Sequence, residues 1–143
     1  MYEHHIAVLE GSVARAIERQ GADAVASNLF QRYFDRFPET RERYFHGTDI
    51  HYFGERKFKI IAEFLIDTLR FPNYAEGSMC NEVMRHQVYG LKDKEYYFGL
   101  IDALMESVQA AMGDEWTDDM AECWSDATIA LKGFVQGGMA YIE

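Results

Sequence analysis

The chain has 143 residues, with 14 Lys and Arg against 24 Asp and Glu, a formal net charge of -10. Apolar residues make up 48% and aromatics 15%, which is enough to fold around a core and excludes a disordered chain. The length fits a single domain spanning 1–143, and no apolar run approaches the roughly 20 residues that cross a membrane.

Two prolines, Pro38 and Pro72, and fifteen alanines favour long helices. Ile6, Leu9, Val13 and Ile17 step by three and four along a first amphipathic helix, which Gly21 interrupts. A second apolar face runs through Val25, Leu29, Phe30, Tyr33, Phe34 and Phe37. Pro38 suits the first turn of a new short helix, with Glu39 near its positive end. Residues 46–52 read as loop. A further helix carries Phe58, Ile61, Ala62, Leu65 and Leu69 and should end near Phe71-Pro72. Residues 73–80 are weakly patterned, and a short helix around 80–89 stops at Gly90.

Asp93 is placed to cap the next helix, whose face is Tyr97, Ile101, Leu104, Met105, Val108 and Met112. Gly113 ends it, and Thr117 is placed to cap the last, with Met120, Trp124, Ala127, Leu131, Phe134 and Val135 inward. No alternating strand pattern, repeat or linker is visible. The expectation is an all-α domain of six to eight helices.

Charge is unevenly spread. Residues 1–94 hold 13 basic and 14 acidic side chains, whereas residues 95–143 hold ten acids against Lys132 alone. An acidic surface of that size repels phosphate and anionic lipid, so nucleic acid and membrane are not expected partners. Six of the acids, Asp114, Glu115, Asp118, Asp119, Glu122 and Asp126, fall around the start of the last helix, where they complement its dipole. Met1-Tyr2-Glu3-His4-His5 lacks the basic-then-apolar order of a secretory signal. Cys80 and Cys123 form no C-x-x-C, so neither a disulfide framework nor a thiolate zinc site is indicated. A cytoplasmic location is expected.

Several sites are absent as motifs. There is no Glu-x-x-His, no His-Glu-x-x-His and no Gly-rich phosphate loop. Histidines remain. His4 and His5 read as solvated, and His46 and His51 flank a loop. His86 differs because it sits near the end of a short helix, in Val83-Met84-Arg85-His86-Gln87-Val88-Tyr89-Gly90-Leu91. On pattern alone such a histidine reads as a hydrogen-bonded core or surface residue rather than a metal ligand.

Four features taken in order change that weighting. Asn28-Leu29-Phe30-Gln31-Arg32-Tyr33-Phe34-Asp35-Arg36-Phe37-Pro38-Glu39 runs a helix into a Pro-Glu turn, and some fifty residues later comes Arg85-His86-Gln87-Val88-Tyr89-Gly90-Leu91. Tyr96 follows ten residues after His86, and Trp124-Ser125-Asp126-Ala127 lies in the last helix. In this order and spacing the chain resembles the globins, and among them bacterial single-domain globins and the haem domain of flavohaemoglobins, over nearly its whole length.

The resemblance implies a globin fold around a haem pocket, haem b as cofactor and His86 as the iron ligand. It further implies cofactor contacts from Phe30, from Tyr44 or Phe45, from Lys57, Phe58 or Ile61, and from Tyr89 and Tyr96. The chain also departs from the family pattern. Phe30 stands where a tyrosine donates to bound oxygen, the distal glutamine position falls on Gly54 or Lys57, and no glutamate near Gln136 is placed to join Tyr96. Tyr33, an off-register donor, should face elsewhere. His51 is a further candidate for the distal side.

The expected function is binding of a diatomic gas (oxygen, NO or CO) in transport, scavenging or sensing, as a binding protein rather than an enzyme. Two alternatives stand beside it. One is a haem enzyme, NO-consuming or peroxidase-like, drawing electrons from a separate reductase. The other is a haem-free sensor or interaction module whose slot is filled by Phe30, Tyr44 or Phe45, and Phe58. A homodimer is compatible with either. Arg56, Lys57, Lys59 and Arg85 are candidates to meet the haem propionates. Seven cations between Arg32 and Lys59 place a basic rim, rather than the acidic last helices, at the pocket mouth or against an acidic redox partner.

Overall fold

The computed structural model describes residues 2–45 and 50–142. Seven α-helices are present, with no strand among the described residues: α1 (Glu3–Gln20), α2 (Ala22–Arg36), α3 (Pro38–Tyr44), α4 (Ile50–Arg70), α5 (Pro72–Val88), α6 (Lys94–Met112) and α7 (Asp118–Ile142). One turn of 3-10 helix, Gly113–Glu115, joins the last two. The all-α expectation holds.

Local chemistry explains most boundaries. Gly21 adopts φ +89°, a conformation costly for any residue with a Cβ, and there the chain turns from α1 into α2. Pro38 and Pro72 each open a helix, and the residues before them, Phe37 and Phe71, share the same non-helical backbone, φ -132° with ψ 69° and 68°. The Asp93 carboxylate accepts from the Glu95 N–H at 2.9 Å, and Thr117 Oγ1 accepts from the Met120 N–H at 3.1 Å, so both expected caps form.

Helix α5 is the exception. Residues 73–80 belong to the same continuous helix as 81–88, not to a separate weakly ordered stretch. Its buried line is narrow, only Ala75, Met79 and Val83, so little apolar periodicity shows in the sequence. What holds it is close approach to α7. A Cβ at Gly138 would lie 3.4 Å from Cys80 Cα and from the Val83 side chain, so bare backbone is what lets the two helices meet. Helix α4 likewise begins earlier than expected, taking in residues 50–52.

Helices α1, α2, α4, α5, α6 and α7 surround one core. Trp124 is fully buried, and its ring N–H donates to Ser12 Oγ at 2.8 Å. Ser12 in turn donates to the Val8 carbonyl at 2.8 Å, so the one polar atom of the largest core side chain is satisfied. The buried line of α1 is therefore Leu9, Ser12 and Ala16, with Ile6, Val13 and Ile17 beside it. Phe37 packs against Tyr33 and Tyr96, with ring centroids 5.5 and 5.0 Å away, and it reaches that position over Gly99.

A Cβ at Gly99 would overlap the Phe37 ring. Gly99→Ala should therefore destabilise the fold by about 1–3 kcal/mol, read as a lower urea midpoint at unchanged slope. A second test concerns Glu115, whose carboxylate meets Arg15 Nε at 2.9 Å and also pairs with Arg19. Hydrogen bonding to Arg15, against a smaller effect of burial, lowers its pKa from 4.5 to about 2. A carboxyl depressed in the folded state stabilises above its ordinary pKa, and that contribution disappears as pH falls toward 2. The melting-temperature gap between the native chain and Glu115→Gln should thus be full at neutral pH and close on acidification through that window.

Candidate functional site

Between α4, α5 and α6 lies a cavity of about 800 Å³, within the range of small-molecule and cofactor sites. Helix α4 supplies Phe53, Lys57, Ile60, Ile61 and Phe64, a spacing of four, three, one and three that is one face of a helix. Helix α5 contributes Met79, Glu82, Arg85 and His86; helix α6 adds Tyr96, Tyr97, Leu100 and Ile101. Leu131 of α7 and Tyr33 of α2 close it from behind, and Arg43, Phe45, Tyr89 and Leu91 lie on its border.

His86 stands in the last turn of α5, and its Nδ1 is 2.7 Å from the Glu82 carbonyl oxygen. A carbonyl can only accept, so Nδ1 carries the proton and donates. In the neutral ring the lone pair then belongs to Nε2. Glu82 Oε2 is 3.6 Å from the same Nδ1, and the rings of Tyr97 and Tyr89 stand edge-on at 6.0 and 6.4 Å. Immediately beyond, the Gly90 N–H bonds the Gln87 carbonyl at 2.9 Å and the Leu91 N–H bonds the His86 carbonyl at 3.1 Å. This paired closure needs a left-handed residue, and Gly90 provides it at φ +89°. The helix thus ends two residues after its histidine, with Leu91 tucked in beneath.

Charge on the cavity wall is mostly compensated. Arg85 donates to both Glu82 oxygens at 2.7 Å. Lys57 has no hydrogen bond or ion pair among the described residues and is half-buried. Burial lowers its pKa, Glu82 opposes that and Arg85 adds to it. A half-buried amine without a hydrogen-bond or ion-pair partner costs stability.

Of the residues singled out in the sequence, His86, Phe45, Lys57, Ile61, Tyr89 and Tyr96 come together around this cavity. Phe30 and Phe58 do not line it. Both are fully buried, and Phe30 lies behind Phe45 and Phe53, at 5.8 and 6.4 Å between centroids. Of the two distal positions left open, Lys57 reaches the cavity wall and Gly54 does not. The side chains of Tyr44 and His51, and all of His46, lie outside the described residues. Tyr33, expected to face elsewhere, lines the cavity: it is one helical turn from Phe30 on the same face. Tyr96 turns its hydroxyl to Glu39 Oε1 at 2.9 Å, so its carboxylate partner comes from α3.

The rim cations also divide. Arg56 is exposed and Lys59 pairs with Glu55, while Arg43, Lys57 and Arg85 border the cavity. Phe53, Phe64 and Tyr97 were not among the candidates. Phe53 lies one turn before Lys57 and Phe64 one turn after Ile60 and Ile61, and that helical register is the signal that finds them.

The chain matches no protein-family model and no curated protein. No described helix is long and apolar enough to cross a membrane.

Replacing the unpartnered amine tests the electrostatic account. Lys57→Met keeps the length of the stem and removes the charge, and should raise stability by about 1 kcal/mol at neutral pH in chemical denaturation. The folded state disfavours the charged amine, so the gain should shrink as pH rises toward 10.5, where native Lys57 also becomes neutral.

Proposed function

We propose that this cavity is a haem pocket of globin type, with His86 as the iron ligand, and that the protein binds a diatomic gas: oxygen, NO or CO. The observation that carries this reading is the state of the His86 ring. Its Nδ1–H is committed to the Glu82 carbonyl at 2.7 Å, so in the neutral ring the lone pair belongs to Nε2, and the residue borders a cavity of cofactor size. A neutral imidazole whose second nitrogen is anchored in this way is the form that ligates iron, and the anchor raises its basicity.

The other residues fit the same group. Phe53, Ile61 and Phe64 offer one apolar face, and Leu100 and Ile101 another, as a flat macrocycle requires. Arg43, Lys57 and Arg85 bring positive charge to the border, where two propionate carboxylates need it. Haem, when bound, would supply an iron able to take up a small gas. The chain's own part is to hold the imidazole, exclude water with the α4 aromatics and set the polarity of the remaining wall through Lys57 and Tyr33.

A binding role is favoured over catalysis by the acid–base inventory. Among the described residues bordering the cavity, His86 is the one imidazole and Glu82 the one carboxylate. Both are engaged, Glu82 with Arg85, so neither is placed to carry protons at a second position. A gas carrier, scavenger or sensor needs no such group.

Reconstitution decides the matter. Purified protein supplied with haem should take up one equivalent and show a Soret band that shifts on reduction and again with CO. His86→Ala should lose that ferrous spectrum or bind haem at least about tenfold more weakly. No Soret band in the native chain, or an unchanged spectrum in His86→Ala, would sink the proposal and leave the haem-free module standing.

A further inference from the structure

The first turns of α1 and α7 lie side by side, away from the cavity-lining residues. His4 Nε2 is 2.9 and 3.1 Å from the two carboxylate oxygens of Asp119. One turn along α7, Cys123 points its Sγ at Asp119 Oδ1, 3.8 Å away. The imidazole nitrogen, a carboxylate oxygen and the sulfur all fall within 4.8 Å of one another. A turn further still, His5 Nε2 is 3.0 Å from Asp126 Oδ2. His4 and His5 are thus paired across helices, not simply solvated.

We infer that His4, Asp119 and Cys123 form a binding site for a divalent transition metal of the zinc type, distinct from the cavity. Nitrogen, oxygen and sulfur donors together are the set that borderline ions select. In a tetrahedral site the ligand atoms are separated by roughly 3.5 Å, so His4 and Asp119, at 2.9 Å, would open slightly while the sulfur closes in from 3.8 Å. Three protein ligands leave the fourth position to water.

The surroundings suit a cation. Asp118, Glu122 and Asp126 add to the negative field, and this is the part of the chain where ten acids face one lysine. Burial first, and then the carboxylates of Asp119, Glu122 and Asp126, hold the Cys123 thiol above its ordinary range. A divalent ion reverses that balance: the S–H proton passes to solvent, the proton that His4 Nε2 donates to Asp119 moves to Nδ1 or, from an imidazolium, to solvent, and metal–sulfur and metal–nitrogen bonds form with no change of oxidation state. Charge then closes locally, with two positive charges against one thiolate and one carboxylate.

The test uses the full chain without a histidine tag and zinc alone as the probe. Calorimetric titration should show one zinc per chain, and X-ray absorption at the zinc edge should show one sulfur at about 2.3 Å. His4→Ala, a change at an exposed residue, should weaken binding by about tenfold or more. Cys123→Ser, near in size, should remove the sulfur from the shell, and His86→Ala should leave zinc binding unchanged. Absence of stoichiometric binding, a shell without sulfur, full affinity in His4→Ala, or loss of binding in His86→Ala would each overturn the assignment. Because the haem proposal is read from a Soret band, either can fail while the other stands.

Discussion

The hydrogen bond from the His86 ring to the Glu82 carbonyl organises the candidate site. Its acceptor is the carbonyl four residues earlier, which belongs to the helical ladder, so the ring is referred to the helix axis and not to a mobile side chain. It also settles the tautomer, since a carbonyl cannot donate. The position then depends on where α5 ends. Were the helix to continue, Tyr89 to Leu91 would form another turn instead of folding back. The left-handed Gly90 stops it, and the His86 carbonyl accepts from both Tyr89 and Leu91, at 3.0 and 3.1 Å. One glycine therefore defines both the end of the helix and the setting of the histidine.

Ion pairing explains the lopsided charge. Glu106 of α6 collects Arg32 and Arg36 from α2, Glu115 collects Arg15 and Arg19 from α1, and Asp102 takes Lys132 at 2.7 Å. The acids near the start of α7 answer two helix N-termini at once, their own and that of α1, with His4 and His5 bridging between them. Most of these groups are partly exposed, so each pair contributes little to stability. Their larger effect is on what remains. Once the arginines of α1 and α2 are engaged, the positive character bordering the cavity comes from Arg43, Lys57 and Arg85, and of these Arg85 is held to Glu82. Lys57 is left.

Long helices and their caps were legible in the sequence because each rests on local chemistry. Asp93, Thr117, Pro38, Pro72 and Gly90 act on residues within a turn of themselves, and the chain shows them directly. Helix α5 was only half legible. It is held by the bare backbone of Gly138 on a helix some sixty residues later, and no pattern within 72–80 records that contact. The cavity residues follow the same division. Lys57 and Ile61 share a helix face and could be read together. Tyr33 enters the wall because Phe30, one turn before it, is occupied in the core against Phe34, Phe45 and Phe53. That aromatic cluster is assembled from three separate segments, so the displacement it causes belongs to tertiary packing.

Helix α7 connects the acidic cluster to the cavity, and its length keeps them independent. Cys123 and Leu131 are eight residues apart, which is about 12 Å of helix rise. Between them stand Trp124, anchored to Ser12, and the buried Ala127 and Thr128, which pack the helix against its neighbours. A metal at the first turn would draw Cys123 toward His4 and Asp119, a movement at the contact between α1 and α7. The Trp124–Ser12 hydrogen bond spans that same pair of helices adjacent to Cys123 and resists its propagation. Tightening one end of α7 against α1 would therefore add stability at that junction without displacing Leu131. A shift reaching the cavity would first have to break a buried hydrogen bond, and the free energy of local ligand rearrangement is too small a lever to assume that. The cavity and the acidic cluster thus sit on one scaffold, with the buried Trp124 between them along α7.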